Sequence, residues 1–138
     1  MERPIFSPPR SLNSIASFLG VTPATKDVSI MGLSHASNEV VEGDLFIALP
    51  GARTHGAIFS LDANKRGARA ILTDSVGAEI ASELPVLVLE NPRRIAGILS
   101  AWFYREPMRE MFCVGITGTN GKTTTTTLLH QIWQGAGH

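Results

Sequence analysis

Gly43-Asp44-Leu45-Phe46-Ile47-Ala48-Leu49-Pro50-Gly51 is the stretch on which the fold turns. Five apolar residues are opened by Gly-Asp and closed by Pro-Gly. A short apolar run ended by a turn signal reads as a buried strand. Asp44, beside a glycine at the strand's entrance, reads as a turn residue rather than an acid catalyst.

Outward from this strand the chain alternates. Downstream, residues 57–66 read as a helix, with Ile58, Leu61 and Lys65 near one stripe and Gly67 as C-cap. Residues 70–73 form the next strand, 76–83 a short helix stopped before Pro85, and 86–89 another strand. Asn91-Pro92 supplies an N-cap and a first-turn proline. The helix behind it places Ile95, Ile98, Leu99 and Trp102 at i, i+3, i+4 and i+7 and is ended by Pro107. Upstream lies a short strand within 28–33. Before it, Ser11 caps a helix running through Leu19, with Leu12, Ile15, Ala16 and Leu19 on one face and Gly20 as its stop. Strands separated by helices imply an α/β fold, a mostly parallel sheet with helices packed against it.

Composition bounds the function. The 138 residues carry 12 Lys+Arg against 12 Asp+Glu, with 43% hydrophobic and 17% charged residues. Zero net charge argues against nucleic acid or an anionic membrane surface as partner, because those select basic excess. The single cysteine, Cys113, excludes an intramolecular disulfide framework and fits a reducing compartment. It reads as a small core residue of an apolar strand. No apolar run approaches the roughly 18 residues of a membrane span, and the proline-rich first ten residues lack the apolar core of a signal peptide. A soluble cytoplasmic protein is expected. Charged residues and Pro107 cluster at 104–111, which reads as a linker dividing a domain at 1–107 from a second segment at 108–138.

The second segment carries the sharpest motif. Phe112-Cys113-Val114-Gly115-Ile116 reads as a strand leading into Thr117-Gly118-Thr119-Asn120-Gly121-Lys122-Thr123-Thr124 and then a helix over 121–134. Glycines let successive N–H groups turn toward a phosphate, and no Cβ blocks its approach. The helix N-terminus adds about half a positive charge. Lys122 suits the β- and γ-phosphate oxygens, the Thr123 hydroxyl suits Mg²⁺, and Thr124 can reach an α-phosphate. Gly118, Thr119, Asn120, Gly121, Lys122, Thr123 and Thr124 are therefore the candidate nucleotide site. The strict phosphate-loop pattern would need glycine at 116, where this chain has Ile116. Five consecutive threonines are mediocre helix formers, and Thr125, Thr126 and Thr127 read as structural.

This variant loop resembles that of the Mur ligases, ATP-dependent enzymes that extend the peptide stem of peptidoglycan precursors. Residues 40–56, containing Gly43-Asp44-Leu45-Phe46 and Pro50-Gly51-Ala52-Arg53-Thr54-His55-Gly56, resemble the family's N-terminal substrate domain, as does Gly67-Ala68-Arg69-Ala70-Ile71-Leu72. The likeness covers nearly the whole chain from about residue 28. Its nearest form is the ligase that adds meso-diaminopimelate or L-lysine to UDP-N-acetylmuramoyl-L-alanyl-D-glutamate. The resemblance implies a Rossmann-like N-terminal sheet domain, followed by the first strand, phosphate loop and helix of an ATPase-like central domain.

It also implies sites. The family's Asp-Ser-Arg appears as Ala36-Ser37-Asn38, so Ser37 keeps its place toward the uridine end of the substrate while its charged flanks are missing. His35 offers backbone contacts there. Ala52, Arg53 and Thr54, with His55, fall where the family contacts the UDP-sugar. Lys122 is the expected catalytic residue, ATP and Mg²⁺ the cofactors, and Thr123 the metal ligand. The substrates would be the UDP-N-acetylmuramoyl-dipeptide, ATP and an amino acid. The family's modified lysine, its second-metal ligands and its amino-acid-selecting domain would lie beyond His138. The chain is therefore expected to be an N-terminal piece, inactive alone and monomeric. Open alternatives are the ligase adding D-alanyl-D-alanine, cyanophycin synthetase, or a stand-alone nucleotide-binding module.

Overall fold

The computed structural model describes residues 8–81 and 83–137. They fall into two compact units, Met1–Glu106 and Pro107–His138.

In the first unit, β1 (Arg10–Ser11) leads into α1 (Leu12–Leu19), and β2 (Ser29–Ile30) pairs antiparallel with β1. The expected strand within 28–33 is thus two short strands, β2 and β3 (Gly32–Ser34), in different sheets. Then follow β4 (Asp44–Ile47), α2 (Ser60–Lys65), β5 (Ala70–Thr73), α3 (Ser75–Ile80), β6 (Val86–Val88) and α4 (Pro92–Phe103). Single turns of 3₁₀ helix at Ser37–Glu39 and Gly56–Phe59 sit in the connections after β3 and β4. The main sheet is wholly parallel in the order β3-β4-β5-β6, with Leu45 beside Leu33 and Ala70, and Ile71 beside Val86. The α/β fold is the one expected.

Alternation along the strands divides the core. Leu45, Ile47, Ala70, Leu72 and Leu87 face one way, against Leu12, Ile15 and Ala16 of α1 and Leu99 and Phe103 of α4. Phe46, Ala48 and Ile71 face the other way, against Ala57, Ala63 and Ala68. A strand covered on both faces must be apolar throughout, which accounts for the uninterrupted run at 45–49. Each large side chain fully buried here contributes about 1.5–3 kcal/mol before entropy is set against it.

The two helical faces depart from expectation in an instructive way. Ile58 and Leu61, expected to pack inward, are half exposed, while Ala57, Ser60 and Ala63 are buried. The backbone lies so close to Phe46 and Ile71 that only small side chains fit between, and size overrides hydropathy. In α4 the buried stripe is Leu99 and Phe103 flanked by partly buried Ile95 and Trp102, and Ile98 points outward. The stripe follows i, i+4, i+8 with the neighbouring i+7 position. The helix ends at Phe103, before Pro107, and Arg105 and Glu106 take left-handed φ values of 63° and 52°.

Ends of elements are fixed as their residues suggest. Ser11 Oγ accepts the Ser14 N–H at 3.0 Å, Gly20 closes α1 at φ 68°, and Asn91 Oδ1 accepts the Arg94 N–H at 3.2 Å. Asp44 is buried at the start of β4, and its Oδ2 accepts the Val41 N–H at 3.0 Å, the turn role its sequence indicated. Arg10 closes the other end of α4. Its guanidinium donates to the carbonyls of Trp102 and Phe103 at 3.0 and 3.2 Å and lies 3.8 Å from the Trp102 ring centroid.

In the second unit, a 3₁₀ turn at Pro107–Arg109 precedes α5 (Lys122–Gly135). Residues 112–116, expected as a strand, form no ladder among the described residues. A strand needs a neighbour for its N–H and C=O groups, and the described residues of this unit offer none. Cys113 is accordingly exposed rather than in a core. Among the described residues no helix is long and apolar enough to cross a membrane.

Candidate functional site

A parallel sheet brings all its strand ends of one kind to one edge, and ligands of open α/β sheets bind outside the carboxyl ends. Every candidate substrate residue lies there. His35 and Ser37 follow β3, and Ala52, Arg53, Thr54 and His55 follow the adjacent β4. His35 is exposed and Ser37 is half buried as the first residue of its 3₁₀ turn. Ala52, Arg53 and Thr54 are exposed at the tip of a tight turn. Its base is closed by an antiparallel bridge between Pro50 and His55, by the Gly51 N–H donating to Thr54 O at 3.2 Å, and by the Gly56 N–H donating to Leu49 O at 2.9 Å.

His55 is set apart from its neighbours. Its Nδ1 accepts the Ala57 N–H at 3.0 Å and caps the 3₁₀ turn, and its Nε2 lies 3.0 Å from Asp74 Oδ1. An N–H can only donate, so Nδ1 is the acceptor and Nε2 carries the proton toward Asp74. Asp74 Oδ1 also accepts the Gly77 N–H at 2.8 Å, as N-cap of α3. On the far side, Arg93 Nη2 donates to Pro50 O at 2.6 Å. Asp74, Gly77 and Arg93 were missed from sequence. Asp74-Ser75 ahead of a short helix is an N-cap signal, but starting the helix at 76 hides it. Nothing in the sequence announces the reach of Arg93 across to Pro50.

The loop that the sequence suggests as a phosphate site lies in the second unit. Gly118 and Gly121 have φ of 151° and 78°, conformations that side chains disfavour, and Gly121 caps α5 without a side-chain acceptor. The first N–H groups of that helix are thus left for a ligand. Lys122 Nζ folds back to donate to the carbonyls of Gly118 and Thr119, which places its charge over the loop. Thr125, Thr126 and Thr127 each return their hydroxyl to the carbonyl four residues earlier, at 2.9 Å. Among the described residues neither the Thr123 nor the Thr124 hydroxyl has a hydrogen-bond partner. The threonine run therefore splits into three that serve the helix and two with hydroxyls to spare. This arrangement fits a polyphosphate. No cluster of three or more His, Cys, Asp or Glu side chains suited to a metal occurs among the described residues, so within them a cation would rely on Thr123 and phosphate oxygens.

A groove of about 910 Å³ opens at the opposite, amino-terminal edge of the main sheet, beside Lys26, Glu42, Arg69, Glu83 and Pro85. Arg69 is already paired with Glu42 at 2.8 Å. Volume alone does not make it the site, since strand polarity and loop placement favour the other edge.

Residues 29–104 match the Mur ligase family, catalytic domain. The chain belongs to the Mur ligase family. The chain is 46% identical over 129 residues to the UDP-N-acetylmuramoyl-L-alanyl-D-glutamate–2,6-diaminopimelate ligase of Streptomyces coelicolor, covering 92% of the chain and 26% of that protein. It is 44% identical to the ligase of the same name from Streptomyces avermitilis, with the same coverage. This Mur ligase chain thus spans about a quarter of the length of the curated relatives it matches. Among solved structures, a UDP-N-acetylmuramoylalanyl-D-glutamyl-2,6-diaminopimelate–D-alanyl-D-alanyl ligase from Acinetobacter baumannii shares the fold. Its TM-score is 0.68 at 22% identity, over 93% of this chain and 28% of that one. The MurF ligase from Thermotoga maritima in complex with ADP matches with TM-score 0.51 at 30% identity, over 67% of this chain and 21% of that one.

Proposed function

We propose that this Mur ligase chain is the UDP-sugar-peptide-binding part and phosphate loop of an ATP-dependent ligase. That ligase adds the third amino acid to UDP-N-acetylmuramoyl-L-alanyl-D-glutamate. The observation that carries the proposal is the 44–46% identity, over 92% of the chain, to two ligases named for that reaction. Both names specify 2,6-diaminopimelate, which favours it over L-lysine as the amino acid. The structural neighbours are 22% and 30% identical, below the 44–46% of these ligases, which leaves D-alanyl-D-alanine addition the weaker alternative.

In this reading, Met1–Glu106 is the substrate domain. Ser37 and His35 take the uridine end, while the exposed N–H groups at 52–54 and the Arg53 guanidinium take the diphosphate. In the second unit, Gly118 to Thr124 hold ATP, with Lys122 as the catalytic cation. Mg²⁺ on Thr123 would supply further charge neutralisation. The ligation runs by transfer of the ATP γ-phosphoryl group to the dipeptide's terminal carboxylate, with ADP as the leaving group. The acyl phosphate so formed is attacked by the incoming amine, and phosphate leaves. Lys122 stabilises charge on the transferring phosphoryl group, so the chain's contribution is positioning and electrostatics. This reading places the enzyme in the cytoplasm.

Calorimetric titration of the chain with the UDP-N-acetylmuramoyl-dipeptide, and separately with MgATP, tests this. Saturable binding of the UDP-dipeptide is expected, with weaker binding of MgATP. Tight MgATP binding without any UDP-dipeptide binding would instead make the chain a nucleotide-binding module.

A further inference from the structure

We infer that His55 acts as a latch that sets the shape of the 51–54 turn, with Asp74 and Arg93 as its anchors, rather than as a direct contact to the substrate. The inference rests on the proposed substrate role of that turn and deepens it. Three observations carry it. Both ring nitrogens of His55 are engaged inside the protein, one by the Ala57 N–H and one by Asp74, so neither is left to meet a ligand. The pair is mostly buried, with side chains 12% and 18% exposed, so the interaction is shielded from solvent exchange. Gly77 leaves the space it needs, because a Cβ there would lie 2.5 Å from His55 Cε1.

The consequence is mechanical. The turn tip at 52–54 is exposed and short, and its two ends are Pro50 and His55, bridged to one another. Arg93 holds the Pro50 carbonyl from α4, and Asp74 holds His55 from α3. The tip is thereby fixed to two helices on opposite faces of the sheet. Backbone N–H groups recognise a diphosphate only if they already converge, and ordering a loose turn at the moment of binding weakens affinity. Asp74 and His55 are positioning residues, acting on the substrate through the turn.

Asp74→Ser provides a separable test. Serine still caps α3 through the Gly77 N–H, but it is too short to reach His55. Asp74→Asn keeps an oxygen for both partners and serves as the conservative control. The chain, ¹⁵N-labelled, is examined by NMR for amide exchange at Gly51, Gly56 and Ala57 and for the His55 tautomer, and by calorimetry with the UDP-N-acetylmuramoyl-dipeptide. In Asp74→Ser, faster exchange at these three amides and roughly tenfold weaker binding are expected, the cost of one charge-assisted hydrogen bond. The thermal midpoint should fall only by the several degrees that one lost hydrogen bond costs, and Asp74→Asn should recover most of the affinity. Unchanged exchange in Asp74→Ser, faster exchange without loss of affinity, or a neutral His55 protonated at Nδ1 would each overturn the latch. Failure of the wild-type chain to bind the UDP-dipeptide would instead overturn the substrate reading, and the positioning role with it, whatever the exchange data show.

Discussion

Replacing Gly77 by alanine sets two effects against each other, and the structure decides the sign. Alanine is the better helix former by at most about 1 kcal/mol, so a helix considered alone would be stabilised. Gly77 lies in the first turn of α3, where its ideal Cβ would overlap Thr73 Oγ1 and approach His55 Cε1 to 2.5 Å. Neither neighbour can yield easily. Thr73 is fully buried and its hydroxyl donates to Ala48 O at 2.9 Å. His55 is held by both ring nitrogens. Overpacking of this kind costs about 1–3 kcal/mol, and breaking either hydrogen bond adds about 0.5–1.5 kcal/mol. We expect a net loss of about 1–3 kcal/mol, which for a unit near 100 residues lowers Tm by about 4–8 °C per kcal/mol. Urea denaturation of the wild-type and Gly77→Ala chains, with thermal melts alongside, measures it. An unchanged or raised midpoint would refute the packing argument around Thr73 and His55.

Other substitutions probe other parts. Arg10→Ala removes two carbonyl caps and a cation–π contact at the end of α4, and should cost about 1–2 kcal/mol in the same denaturation assay; Arg10→Lys should recover only part of it, since an ammonium cannot fork. Ala63→Leu forces bulk between α2 and the sheet and should destabilise by about 1–3 kcal/mol, whereas Leu61→Ala on the half-exposed side of α2 should cost well under that. Lys122→Ala should weaken MgATP binding at least tenfold by calorimetry while leaving UDP-dipeptide affinity unchanged. Thr126→Ala, which removes only a helix back-bond, should leave both affinities where they were.

Much of the sheet could be read directly from the chain. Buried strands at 45–49 and 70–73 declare themselves by unbroken apolar runs, and Ser11, Gly20 and Asn91-Pro92 mark helix ends by local chemistry that tertiary context had no reason to override. What misled was bulk. Ile58 and Leu61 are apolar yet exposed, because hydropathy periodicity cannot sense that the 57–65 segment approaches the sheet closely enough to bury Ala57, Ser60 and Ala63 instead; Ile98 is exposed because the buried stripe of α4 runs through Ile95, Leu99 and Phe103. The strand at 112–116 failed for a related reason, since pairing depends on a neighbour and not on the strand's own residues. The turn at 52–54 was legible as a candidate site because of its resemblance to a known loop. Its anchors were not, for Asp74 and Arg93 act from 19 residues away from His55 and 43 from Pro50, respectively.

The most direct test of the central claim is a map of where the UDP-N-acetylmuramoyl-dipeptide binds, from backbone amide shifts of the ¹⁵N-labelled chain during titration. The account predicts perturbations concentrated at 35–37 and 51–55, at the carboxyl edge of the parallel sheet. Perturbations gathered instead around Lys26, Glu42, Arg69 and Glu83, in the groove at the amino edge, would contradict it.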